Sequence, residues 1–184
     1  MLFTTAQSDT DLYQILDLQK RNLPLSLSPE EVSREGFVTV SHRFEDLKKM
    51  NSYEPHVIAK EKDAVVAYLL AMTEKSKRDI PILIPMFDVF ENIIYRGKKI
   101  SEFKYLVVGQ VCVAKEFRGR GVLDLCYEEY QKRFSPKYDF AITEISKKNP
   151  RSLRAHRRAG FEIVHEYADS NGIDWDIVLW DWRK

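Results

Sequence analysis

One stretch, Lys104 to Asp124 (KYLVVGQVCVAKEFRGRGVLD), constrains this chain more than any other. Tyr105 to Val113 is an apolar run of strand length. A short charged turn follows, ending in Arg118-Gly119-Arg120-Gly121, and an amphipathic segment begins at once. The pattern predicts strand, glycine-rich turn, helix. Glycine has no Cβ, so a backbone built on it can approach a ligand closely. A helix starting directly behind the turn leaves unbonded N–H groups and the positive end of its dipole facing the same spot. Together these make an anion site, with phosphate the expected guest.

Two phosphate-binding motifs are excluded. The loop of the nucleotide hydrolases needs Gly-Lys followed by Ser or Thr, and the one Gly-Lys here, Gly97-Lys98, is followed by Lys99. A dinucleotide fingerprint needs a third glycine where Asp124 stands.

The rest of the chain reads in order as follows. Leu2 to Thr5 is a first strand. Leu12, Ile15, Leu16 and Leu18 recur at helical spacing from Asp9, and Asn22-Leu23-Pro24 breaks that helix. Ser28-Pro29-Glu30-Glu31 is a helix start, with Gly36 as its stop. Phe37 to Val40 reads as a brief strand and Phe44 to Met50 as a helical piece. His56–Lys60 and Ala64–Thr73 form a hairpin around Glu61-Lys62-Asp63. Glu74 to Asp79 is charged and exposed. From Pro85 a helix places Phe87, Phe90 and Ile94 near one face, as core, pocket wall or dimer face. Gly97-Lys98-Lys99 turns the chain into the central strand.

Behind the glycine turn, Val122, Leu125, Cys126, Tyr130 and Phe134 give the helix an apolar face, and Pro136 stops it. Tyr138 to Ile145 is a strand. Asn149 caps a basic helix that begins at Pro150 and ends at Gly160. Phe161 to Tyr167 and the alternating Ile173, Trp175, Ile177 and Leu179 are two strands joined by a turn at Asn171-Gly172. Helices, a hairpin, then alternating strands and helices imply an α/β (α+β) domain with a mixed sheet.

Two segments resemble the hallmarks of one family. Arg118-x-x-Gly121-x-Leu123 resembles the acetyl-coenzyme-A signature of the GNAT superfamily of N-acetyltransferases, Arg/Gln-x-x-Gly-x-Gly/Ala. Leu123 departs, because that position is normally small. The run from Asn149 to Gly160-Phe161 is similar to the second hallmark, an Asn opening a short helix that Gly-Phe closes. The resemblance covers roughly residues 57 to 182, and the helices at Leu12 and Pro29 match the family's early pair. It implies a single domain over residues 1–184, with residues 80–99 as a helical insertion. It also implies a mostly antiparallel sheet of about seven strands, helices on both faces and strands splayed at the cofactor site.

The function the resemblance implies is acetyl transfer from acetyl-coenzyme A to a primary amine, on a small molecule or a peptide, in a direct ternary complex. Val111, Cys112 and Val113 would pair with the pantetheine arm as an extra strand would. Amides from Gly119 and Arg120 through Gly121, Val122 and Leu123 would hold the pyrophosphate. Asn149 would bond the arm. Arg118, Arg120 or the cluster from Lys147 to Arg158 would meet the adenosine phosphates. A backbone N–H between Val111 and Val113 would steady the tetrahedral oxyanion.

Glu144 is the candidate base. In a strand it shares a face with Phe140 and Ile142, and desolvation raises a carboxylate's pKa toward a useful value. The alternatives are an ion pair with the basic cluster or a solvated sheet end. His156 falls where the family carries its acid; the alternatives are a bond to coenzyme A or packing of helix on sheet. Cys112 in a strand is a poor thiolate, which argues against an acetyl-enzyme route.

Composition narrows the remaining classes. Lys+Arg 29 against Asp+Glu 28 give a net charge of +1, too little for a global field toward nucleic acid or anionic lipid. No apolar run has membrane-spanning length, the N-terminus lacks a secretory pattern, and two cysteines make no disulfide framework. A cytoplasmic protein without a membrane or nucleic-acid partner is therefore expected, and it could pair as a homodimer. No metal is expected: the four histidines and two cysteines lack ligand spacing, and His165-Glu166-x-x-Asp169 lacks the second His of a zinc-protease motif. Two rivals remain. One is a non-catalytic acyl-coenzyme-A-binding or sensing protein of the same fold. The other is an RNA-associated module using Lys147, Lys148, Arg151, Arg154, Arg157 and Arg158, with Trp175 or Trp180 stacking on a base.

Overall fold

The computed structural model describes residues 1–28, 30–32 and 36–183. Its centre is a seven-stranded sheet built from β1 (Leu2–Thr5), β2 (Val57–Glu61), β3 (Ala64–Met72), β6 (Tyr105–Val113), β7 (Phe140–Ser146), β8 (Glu162–Ala168) and β9 (Asp174–Asp181). The order across the sheet is β1-β2-β3-β6-β7-β9-β8, and every pairing is antiparallel except that of β6 with β7. A separate small hairpin joins β4 (Ile94–Tyr95) to β5 (Lys98–Lys99). The α-helices whose bounds fall within the described residues are α1 (Asp9–Lys20), α2 (Phe44–Tyr53), α3 (Ser76–Asp79), α4 (Ile84–Asn92), α5 (Val122–Phe134) and α6 (Pro150–Ala159).

Burial explains this arrangement. Every side chain of β3 from Val65 to Met72 is buried, so both faces of the sheet are covered there; α1, α2 and α5 all pack against β3. Leu12, Ile15 and Leu18 are the buried stripe of α1, and Leu47 and Met50 that of α2. Ser8 and Asp11 form a reciprocal cap at the start of α1, which satisfies end groups that no helical bond reaches.

Five expectations need correction. Phe37 to Val40 pairs with no strand; it is extended chain, held by bonds from Val38 N to Asn22 O (3.1 Å) and from Gln110 Nε2 to Val40 O (2.8 Å). Leu125 is 43 % exposed, and Tyr127 takes its place on the buried face of α5. Ile94 lies in the small hairpin, 62 % exposed, whereas Phe87 and Phe90 are core. Gly97 and Arg96, both at positive φ, turn that hairpin rather than leading straight into β6. The segment before Ile80 is not wholly exposed: it forms a single helical turn, α3, whose Ser76 is buried. At Ser28 the cap is present, with Glu31 N bonding Ser28 Oγ and Ser28 N bonding Glu31 Oε2. Pro29 and residues 33–35 lie outside the described residues, and the expected stop, Gly36, has φ +73°.

The pairing of β6 and β7 positions the site. They pair only at Tyr105–Phe140, Leu106–Ala141 and Val107–Ile142. Beyond Val107 they part, and Thr143 Oγ1 donates to Val108 O (2.8 Å) at the fork. The cause is local. Between Leu69 and Ala71 of β3 the partner strand steps from Val111 to Val108, so β6 carries one extra residue at Gly109-Gln110. Such a bulge bends its own strand. Gly109 lies in the bulge, and the Met72 methyl packs where its Cβ would stand.

Candidate functional site

The fork opens into a cleft of about 540 Å³. It is lined by Val111, Cys112 and Val113 on the β6 edge that β7 has left, by the turn at Gly119 and Gly121 with the first turn of α5, by Arg151, Arg154 and Arg158 of α6, and by the chain at Gly36–Val38.

The glycine turn is built for an anion. Gly119 and Gly121 have φ of +71° and +74°, a region that side chains with a Cβ rarely adopt. A Cβ at either would touch no protein atom and would stand in the open space of the cleft. Gly121 is the N-cap of α5, and no side chain caps that helix. Among the described residues, the N–H groups from Gly119 to Leu123 donate to no protein acceptor. This exposed donor cluster at a positive helix end fits a pyrophosphate. Leu123 lines the cleft while partly packing on the core, so its bulk does not close the turn.

The arginines divide by role. Arg118 folds back on the strand it follows, with Nε on Val113 O (2.9 Å) and Nη2 on Asn22 Oδ1 (2.5 Å). It braces the cleft wall. Arg120 lies over the Phe117 ring, 5.8 Å from its centroid. Arg158 reaches Asp124 at 3.4 Å and so bridges α6 to α5. Lys147 is paired with Glu166 and Asp176. Trp175 Nε1 bonds Asp169, and Trp180 packs against Gly160 and Tyr127, so both indoles are occupied.

Asn149 also lines the cleft, but its side chain is engaged at both ends. Oδ1 accepts from Ser152 N (3.2 Å) as the cap of α6, and Nδ2 donates to Phe37 O (3.1 Å). It therefore ties the segment at Phe37 to the helix.

A narrower recess of about 70 Å³ lies deeper in the fork, and Glu144 and His156 both line it. Glu144 is mostly buried, and burial raises its carboxyl above the usual range. The Tyr167 hydroxyl donates to its Oε2 at 2.6 Å, opposing that rise. No cation pairs with it among the described residues. His156 is 3 % exposed, with Nδ1 2.8 Å from Ser152 O and the ring edge-on to Tyr127 and Phe161. Burial pushes its pKa down to about 4. A carbonyl partner fixes the proton on Nδ1, which leaves Nε2 an acceptor. Cys112 reaches the larger cleft, but burial pushes its thiol up to about 12, so it carries almost no thiolate at neutral pH.

Sequence reasoning did not find Tyr167, or the segment at Gly36–Val38 as a wall. None of residues 80–99 lines either cavity. Among the described residues no group of three or more His, Cys, Asp or Glu is placed to hold a metal, and no helix is long and apolar enough to cross a membrane.

No protein-family model matches the chain, and no curated protein sequence is significantly similar to it. Solved structures match over nearly its whole length. A GNAT-family acetyltransferase from Streptococcus agalactiae 2603 superposes with TM-score 0.67 at 13 % identity, over 100 % of this chain and 96 % of that one. A ribosomal-protein-alanine N-acetyltransferase from Brucella melitensis gives 0.62 at 18 %, over 98 % and 99 %. The NatC complex, determined with Gag peptide and CoA, gives 0.63 at 9 %, over 98 % and 97 %. With its seven-stranded sheet opening between β6 and β7, the chain has the fold of the GNAT acetyltransferases.

Proposed function

We propose that the protein is an N-acetyltransferase that moves an acetyl group from acetyl-coenzyme A to a primary amine in a direct ternary complex. The observation carrying this reading is the conjunction of the unpaired β6 edge with free N–H groups at Gly119–Leu123 in one cleft. Acetyl-coenzyme A, when bound, supplies an activated acyl thioester. The chain's own groups do the rest. The open edge from Val111 to Val113 pairs with an extended arm as a sheet edge pairs with a peptide. The glycine turn takes the diphosphate, and Arg151, Arg154 and Arg158 face the remaining phosphate charge.

In this reading Glu144 accepts the proton that the amine must lose. A partly desolvated carboxylate, raised above the usual range by burial, suits that task. His156 serves as wall rather than acid, because its tautomer offers no proton at Nε2; as the C–N bond forms the thioester C–S bond breaks, and the departing thiolate takes its proton from solvent. The high pKa of Cys112 favours direct attack over an acetyl-enzyme. The basic helix turns three arginines into the cleft, which supports cofactor phosphates over RNA as their ligand.

The test is a panel of amines, including polyamines, amino acids and peptides with free N-termini, assayed by thiol release from acetyl-coenzyme A. Amine-dependent release that Glu144→Gln abolishes supports the reading. Tight binding of coenzyme A without release for any amine supports the non-catalytic alternative.

A further inference from the structure

Tyr167 lies on the edge strand β8, two strands away from Glu144, with β9 between them. It reaches Glu144 because of a one-residue defect. Ile163 pairs with Val178, but His165 pairs with Ile177, so Val164 is an extra residue in β8. Counting on without the bulge, Glu166 would stand opposite Trp175. With it, Tyr167 does. Successive residues of a strand point to opposite faces, so the bulge alone moves Tyr167 onto the face shared by Glu144, Ser146, Trp175 and Ile177. Bulges beside functional sites re-aim side chains in this way.

The end of β8 is also fixed. Asp169 accepts from Asn171 N, Ile173 N and Trp175 Nε1, which locks the turn directly after Tyr167. Glu144 Oε2 is thus occupied at 2.6 Å, and Oε1 makes no hydrogen bond among the described residues.

We propose that Tyr167, aimed by the bulge at Val164, is the positioning residue for Glu144, fixing one carboxylate oxygen so that the other is presented in the recess. The effect on catalysis rests on reading Glu144 as the base; the pair itself does not. The other titratable groups near Glu144 are known. Asp169, from the turn after β8, raises it. His165 of β8 lies in line with it across Ile177. Asp176 of β9 falls on the opposite face, with Lys147. His156 of α6 shares the recess and is neutral. From β6 the recess receives Gln110, which does not titrate.

The experiment is a carboxyl carbon-13 NMR titration of the full chain, the Glu144 signal being the one missing from Glu144→Gln. Tyr167→Phe keeps the ring and removes only the donor. It should move the Glu144 midpoint up by about half to one pH unit, since a bond to the charged form is lost. The acid limb of kcat/KM should move by the same amount. In a second arm, Glu144→Gln should lower the titration of the Tyr167 ring carbon, which does not depend on how well Tyr167→Phe folds. An unmoved or lowered Glu144 midpoint, or an unmoved Tyr167 signal, overturns the proposal. If both signals move while Glu144→Gln retains full thiol release, the positioning pair stands and the base assignment falls.

Discussion

The two helices that wall the cleft begin in opposite ways. Helix α5 starts at a glycine with φ +74° and no side-chain cap. Helix α6 starts at Asn149, whose side chain takes the Ser152 N–H and also holds Phe37. An uncapped start leaves donors unsatisfied, and a glycine N-cap in place of a capping side chain costs roughly a few tenths of a kcal/mol. The chain accepts that cost at α5 and not at α6. The difference separates two jobs in one cleft: α5 keeps its end open for a guest, while the cap of α6 also holds the segment at Phe37.

Four outcomes would sharpen or break this contrast. The largest lies beyond both helix starts. Glu144→Gln should lower the acetylation rate by about 10²- to 10⁴-fold, the usual share of a general base, while leaving coenzyme A affinity unchanged. Burial raises the Glu144 pKa. Ionising it therefore weighs against the fold as pH rises, and the variant's Tm at neutral pH should stay level or increase. A fall in both affinity and Tm would mean that Glu144 is part of the scaffold.

Next in size is Gly121→Val at the open end. A β-branched residue at positive φ is strained by roughly 1–2 kcal/mol, and its side chain would enter the anion site. Coenzyme A binding by calorimetry should weaken about 100-fold, with a smaller loss of Tm. Asn149→Ala at the closed end should do the reverse. It should cost stability on the order of 1 kcal/mol in chemical denaturation and weaken binding by less than about tenfold. If the two substitutions had the same profile, the contrast between the helices would fail.

The smallest effect at neutral pH grows with acid. His42, His56 and His156 are buried, and burial lowers their pKa to about 4, 3 and 4. Unfolded, they titrate near 6.5. The stability their neutral forms provide is complete above that value and is lost as pH falls toward the folded values. Unfolding should then take up as many as three protons, visible as a Tm that drops steadily below about pH 6.5. A flat Tm between pH 6.5 and 4.5 would contradict this burial.

What could be read in advance follows from how local each signal is. The strand, glycine turn and helix from Tyr105 to Phe134, and α6 from Pro150 to Ala159, are written in caps, periodicity and glycines within a few residues of one another. The apolar face of α5 was legible apart from the exchange of Leu125 for Tyr127, because packing against Trp180 and Phe161 lies far away in sequence. Phe37 to Val40 looks like a strand by composition, yet its hydrogen bonds go to the backbone of Asn22 and to the side chains of Gln110 and Asn149, which no local pattern announces. Tyr167 was hidden by the bulge at Val164. Strict alternation from Ile163 puts the wrong residue on the Glu144 face, and only the pairing with β9 corrects the count. Glu144 stood out as a carboxylate among apolar neighbours, but its partner did not.

The central claim is that backbone amides at the start of α5 receive the diphosphate of coenzyme A. Isothermal calorimetry of the purified chain with coenzyme A tests it most directly. The account predicts one site with a Kd in roughly the micromolar range, weakened by Gly121→Val. No heat at millimolar coenzyme A, or equal binding by Gly121→Val, would contradict it.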